Sequence, residues 1–131
     1  MIFIDSNIPM YLIGSDRSFQ LNAKLLVEQA IADEAKLVTD AEVFQEVLHR
    51  YLAIRRREAV GAAFELLHRM VDEVFPVAIQ AVDRAREIAM SNDRLSARDA
   101  VHLAVMEHYD VDTIMSFDRG FDHWPGILRL G

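Results

Sequence analysis

The sequence predicts an α/β protein: a short parallel sheet of four or five strands, flanked by helices on both faces. Two observations carry that prediction. Short strand-like runs recur along the chain, and between them lie longer stretches with apolar residues at helical spacing, mostly in pairs. That alternating order implies a parallel sheet covered on both faces. Crossovers between parallel strands are almost always right-handed, so every strand is expected to point the same way.

Ile2-Phe3-Ile4 reads as a short buried strand. Asn7 is placed to cap a first helix, with Pro9 in its opening turn and an end near Gly14. From Phe19 to about Asp33, residues Leu21, Leu25, Val27 and Ile31 follow helical spacing. Lys36-Leu37-Val38-Thr39 is a second strand. Asp40 then caps a helix carrying Val43, Phe44, Val47, Leu48, Tyr51 and Leu52. A fourth helix is expected from about Glu58 to Asp72, and a third strand over Glu73-Val74-Phe75, stopped by Pro76. Val77 to Met90 reads as helix and "SNDRL" as the turn after it. "SARDAVHLAVMEHY" is helical, with Ser96 as its cap. Thr113-Ile114-Met115-Ser116 is a fourth strand, and Ile127 to Leu130 a fifth at an edge. No repeat, low-complexity tract or linker interrupts this order, so residues 1–131 read as one domain.

Bulk properties narrow the class. A chain of 131 residues can bury about two thirds of its unfolded surface and needs no disulfide or structural metal to fold. It has no cysteine, which fits a reducing compartment. No apolar run is long enough to span a membrane, and the start lacks the basic head of a signal peptide. A soluble cytoplasmic protein is expected. The net charge of −7 argues against a protein that coats nucleic acid non-specifically. It is compatible with an enzyme that holds cations with carboxylates and meets nucleic acid through a local basic patch. Of the 14 basic residues all but Lys24 and Lys36 are Arg, the better fork for phosphate.

Acids sit directly behind two of the predicted strands. Asp5 follows the first and Asp118 the fourth, so in a parallel sheet both lie on the carboxyl edge. Open α/β sheets bind ligands there, where the strand order reverses. Asp122, one turn beyond Asp118, is within reach of the same crevice or is a capping residue. Glu42 falls in the first turn of its helix, where it complements the dipole. Glu46, one turn further in, stands beside the apolar face and calls for a partner. Asp99 closes a capping-box pattern with Ser96, or joins the other acids if its helix starts near the carboxyl edge. Acids gathered on one edge repel unless cations sit among them, and all-oxygen ligands suit Mg²⁺ or Mn²⁺.

Other chemistries fit poorly. Glu46-x-x-His49 and Asp99-x-x-His102 resemble di-iron ligand spacing, but such sites need four long helices, and this chain has four convincing strands. His102 reads as a residue packed near the core. There is no dinucleotide or Walker glycine motif among the five glycines, no Gly-x-Ser-x-Gly elbow and no thiol.

The stretches "FIDSNIPMYLIG", "TDAEVFQEVLHRY" and "LSARDAVHLAVMEHYDVDTIMSFDRGFD" together resemble the successive motifs of PIN-domain ribonucleases, in particular the VapC-type toxins of toxin–antitoxin pairs. The resemblance covers nearly the whole chain. It implies that Asp5, Glu46, Asp99 and Asp118 are the four principal acids, with Asp122 a variable extra. It implies that Asn7 and Ser116 steady Asp5. One or two Mg²⁺ or Mn²⁺ ions, held by Asp5, Asp99 and Asp118 with Glu46 assisting, would activate water for in-line attack on an RNA phosphodiester. The products would be a 5′-phosphate and a 3′-hydroxyl. A homodimer and a cognate antitoxin are the implied partners. The cluster Arg50, Arg55, Arg56 and Arg57, with Arg98 beside Asp99, reads either as phosphate contacts for RNA or as solvated helix ends. The competing readings are a catalytically silent PIN module that binds RNA or protein, and a PIN nuclease that works outside a toxin–antitoxin pair.

Overall fold

In the computed structural model, which describes all residues 1–131, five short strands form one sheet. They are β1 (Ile2–Ile4), β2 (Leu37–Asp40), β3 (Glu73–Phe75), β4 (Thr113–Met115) and β5 (Leu128–Leu130). Their spatial order is β3-β2-β1-β4-β5 and every pairing is parallel. The most apolar runs occupy the middle: Phe3, Ile4, Val38, Ile114 and Met115 are fully buried. Each such side chain stabilises the fold by roughly 1.5–3 kcal/mol relative to exposure.

Six helices connect the strands: α1 (Asn7–Leu12), α2 (Arg17–Ala32), α3 (Ala41–Ala53), α4 (Arg57–Met70), α5 (Ile79–Ser91) and α6 (Ala97–His108). The first two crossovers step outward from β1 through β2 to β3. The third returns past β1 to β4 on its other side. Right-handed crossovers therefore place α1–α4 on one face and α5–α6 on the other. The strand order reverses between β1 and β4, and both strands end on the same edge. A short 3₁₀ turn, Arg119–His123, follows β4 and is pinned by Phe121, which is fully buried.

Local chemistry sets the helix starts. Asp16 Oδ1 accepts from the Phe19 amide at 3.2 Å and Asp40 Oδ1 from the Val43 amide at 2.9 Å. Ser96 Oγ accepts from the Asp99 amide at 3.1 Å. These bonds satisfy amides that helix geometry leaves free. The first helix departs from expectation: Asn7 is its first residue, not its cap, and the cap position, Ser6, makes no side-chain capping bond. The Asn7 side chain turns instead toward Asp5 and Ser116. No helix is long and apolar enough to cross a membrane.

Candidate active site

Asp5 is the deepest acid at the reversal point. It leaves β1 as the strand ends and is 4% exposed. Its Oδ1 accepts from the Ser6 amide at 2.8 Å. Its Oδ2 accepts from Ser116 Oγ at 2.6 Å and from Asn7 Nδ2 at 3.3 Å. Ser116 Oγ in turn accepts from the Asp118 amide at 3.0 Å, and Asn7 Oδ1 from the Phe117 amide at 3.3 Å. The ends of β1 and β4 are thus stitched together through side chains. Burial pushes the Asp5 carboxyl above the ordinary range, partly offset by the His102 charge and the Ser116 hydroxyl.

Asp118, exposed at the crevice mouth, caps the 3₁₀ turn through Oδ1, which accepts from the Gly120 amide at 2.8 Å. Asp99 opens α6 and faces the same spot. A Cβ placed on Gly120 would lie 3.0 Å from Asp118 Oδ1 and 3.4 Å from Asp99 Oδ2, so the two carboxylates share the space that glycine leaves free. Burial first, then repulsion from Asp118 and Asp5, raises the Asp99 carboxyl from 3.8 to about 6.

Glu46 enters from α3, half-buried, and meets His102 from α6. The imidazole has no exposed surface. Its Nδ1 lies 2.8 Å from Asp40 Oδ2 and its Nε2 lies 3.7 Å from Glu46 Oε2. The second distance is too long for a hydrogen bond. Both Glu46 Oε2 and His102 Nε2 are buried without a hydrogen-bond partner. Burial would raise the Glu46 carboxyl, but the nearby imidazole outweighs it and the net direction is down. Burial would lower the imidazole, but Asp40 above all, with Glu46 and Asp5, holds it well above the usual histidine value.

The four principal acids line one crevice of about 600 Å³, together with Asn7, Tyr11, Arg50, Arg56, Arg98 and Phe117. Arg55 and Arg57 do not line it. Arg98 also lies 3.7 Å from Glu42. Asp122 does not line the crevice: Arg129 Nε and Nη2 donate to its two oxygens at 2.9 and 3.2 Å, which favours the second of the two readings, a residue held outside the acidic group. A guanidinium fork holds this carboxylate in place and compensates its charge. Sequence reasoning missed the role of Asp40 and the contacts of His102. Asp40 read only as a helix cap and His102 only as core, although the Asp99-x-x-His102 spacing does set both on one side of α6.

A divalent cation fits these residues. The donors are carboxylate oxygens from four elements, two buried polar atoms lack partners, and burial together with its acidic neighbours raises the Asp99 carboxyl, a strain that a cation would relieve. The tightest grouping is not the one expected. Ligand atoms of Asp5, Glu46 and His102 all lie within 4.8 Å of one another, a grouping that Asp99 and Asp118 do not enter.

Comparison with known proteins gives a consistent family. The PIN domain model matches residues 2–126. Ribonuclease VapC13 of Mycobacterium tuberculosis is 53% identical over 130 residues, 99% of each chain. Among solved structures, M. tuberculosis VapC20, a sarcin–ricin loop cleaving toxin, superposes with a TM-score of 0.77 over 93% of each chain at 22% identity. A toxin–antitoxin complex from Klebsiella pneumoniae superposes at 0.68 over 98% of this chain and 96% of that one, at 15% identity. At such identities the structural matches establish the fold alone.

Proposed function

The chain belongs to the PIN domain family and, within it, to the VapC ribonucleases; we propose that it is a divalent-metal-dependent endoribonuclease and the toxin of a toxin–antitoxin pair. One observation carries the reading: Asp5, Glu46, Asp99 and Asp118 line a single crevice at the strand-order reversal, with two buried polar atoms lacking partners. A Mg²⁺ or Mn²⁺ ion bound among them would lower the pKa of bound water and stabilise charge on a phosphoryl group.

The chain's own residues supply position and charge. Ser116, Asn7 and the Ser6 amide fix both oxygens of Asp5, so its carboxylate is oriented before anything binds. The Gly120 amide orients Asp118 in the same way. Asp99 stays ionised above about pH 6 and then completes the acidic wall. Arg50, Arg56 and Arg98 line the same crevice and suit phosphate groups. Tyr11 and Phe117, 5.5 Å apart edge to face, offer ring surfaces of the kind on which unpaired bases stack. Cleavage would leave a 5′-phosphate and a 3′-hydroxyl.

The partners are a cognate antitoxin and a second copy of the chain. Leu21, Leu25 and Ile31 on α2 and Leu48 and Leu52 on α3, with Ile54 just beyond it, are exposed, which supports covering surfaces of this kind. A silent binding module would not require four acids in one crevice. The test is cleavage of an RNA substrate with Mg²⁺ or Mn²⁺. Activity should stop with EDTA and with Asp5→Asn; an Asp5→Asn protein that still cuts would sink the site assignment.

A further inference from the structure

We propose that His102 is a direct ligand: its bare Nε2 joins Asp5 and Glu46 around the bound cation, making an inner face of mixed nitrogen and oxygen donors that favours Mn²⁺ over Mg²⁺. The inference rests on the metal-dependent reading above and deepens it.

The tautomer follows from Asp40. Its Oδ1 already accepts from the Val43 amide at 2.9 Å, which holds the carboxylate in place at the start of α3. Its Oδ2 lies 2.8 Å from His102 Nδ1. A carboxylate only accepts, so Nδ1 carries the proton and donates. In its neutral form the imidazole then presents a lone pair at Nε2. Histidines that ligate metals are commonly arranged this way, with the second nitrogen donating to a carboxylate.

That lone pair has somewhere to point. His102 Nε2 is fully buried, has no hydrogen-bond partner and faces Glu46 Oε2, also without one, across 3.7 Å. Two neighbouring ligands each about 2.1 Å from a common octahedral ion stand roughly 3.0 Å apart. The gap is thus wide for a hydrogen bond and several tenths of an ångström wider than a closed ligand pair. Asp5 completes the trio within 4.8 Å, so a modest inward movement closes the set. The crevice lined by Asp5 and Glu46 is the way in. Both ions favour oxygen donors, but Mg²⁺ dehydrates reluctantly and keeps its waters, so an imidazole nitrogen is the better tolerated by Mn²⁺.

The experiment is pulsed electron paramagnetic resonance of Mn²⁺ bound to the untagged full-length protein, with Mn²⁺ and Mg²⁺ dissociation constants measured alongside. Nitrogen-14 modulation of an imidazole ligand is expected in the native protein and its loss is expected in His102→Gln. Mn²⁺ affinity should fall about tenfold or more in that variant, with Mg²⁺ affinity little changed. Asp40→Asn, which keeps the ligand but loosens its orientation, should retain the modulation while weakening Mn²⁺ binding. Mn²⁺ bound without nitrogen modulation, or with modulation that survives His102→Gln, overturns the ligand assignment and leaves the acidic site standing. No Mn²⁺ binding at all to the native protein overturns both. If His102→Gln fails to fold, Asp40→Asn decides the point: an unchanged Mn²⁺ affinity and an unchanged nitrogen modulation in that variant overturn the assignment, and a changed coupling with weaker Mn²⁺ binding supports it.

Discussion

Replacing Asp99 by Asn should stabilise the metal-free protein while removing its activity. Asp99 is half-buried beside Asp118 and Asp5, and its carboxyl is raised from 3.8 to about 6. The folded state therefore binds the proton more tightly than the unfolded chain does. The contribution of this group to stability is greatest below the unfolded value, near pH 4, and is lost as pH rises through about 6. At 1.36 kcal/mol per pH unit the full gap is about 3 kcal/mol. Solvent screening of a half-exposed carboxylate reduces this to about 1–2 kcal/mol. For a domain of this size that corresponds to a rise in Tm of about 4–8 °C. The assay is thermal unfolding in EDTA at pH 7.5 and at pH 4.5. Asp99→Asn should melt higher than the native protein at pH 7.5, and the gain should shrink to less than half at pH 4.5. Saturating Mn²⁺ should raise the native Tm, by linkage, far more than that of the variant. A variant that is equally or less stable at pH 7.5, or whose gain is the same at both pH values, refutes the claim that crowded carboxylates strain this site.

Further outcomes follow from the same geometry. Mn²⁺ affinity should decline as pH falls below about 6, because the metal-free Asp99 carboxyl takes up its proton there; an affinity that stays flat between pH 5 and pH 8 in calorimetry would contradict this. Ser116→Ala removes the 2.6 Å bond to Asp5 and should lower unfolding free energy by about 1–3 kcal/mol in urea titrations, with a larger proportional loss of turnover. Gly120→Ala puts a methyl group 3.0 Å from Asp118 Oδ1 and 3.4 Å from Asp99 Oδ2, so Mn²⁺ affinity measured by calorimetry should drop while the far-ultraviolet dichroism stays native. Arg50→Ala should raise KM for RNA and flatten its salt dependence, whereas Arg57→Ala, outside the crevice, should leave both nearly unchanged.

Much of this molecule is legible in local pattern. Ile2-Phe3-Ile4 and Ile114-Met115 are apolar runs too short to be helices, and each is followed closely by an acid. A parallel arrangement then forces Asp5 and Asp118 onto one edge, whatever the details of packing. Asp99 is legible only in part: its Ser96 cap marks where its helix starts, but whether that start lies at the carboxyl edge depends on the crossover before it. Boundaries drift by one to three residues where capping chemistry decides them: Asp40 ends β2 and opens α3, and the third strand's Pro76 delays α5 to Ile79.

Asp122 and His102 mark the limit. Asp122 has the same one-turn spacing from Asp118 whether or not it faces the crevice; Arg129, brought close by β5 pairing with β4, takes both its oxygens. His102 and Asp40 lie 62 positions apart, and nothing near either residue announces the other. Sequence by itself determined the layered α/β architecture and the edge where the acids collect, because strand burial and helix starts are written in short-range apolar and capping patterns. Only the tertiary structure decided which acids remain free to bind and which are held by a cation or an imidazole, because those contacts depend on angstrom-scale distances between elements that the chain order leaves open.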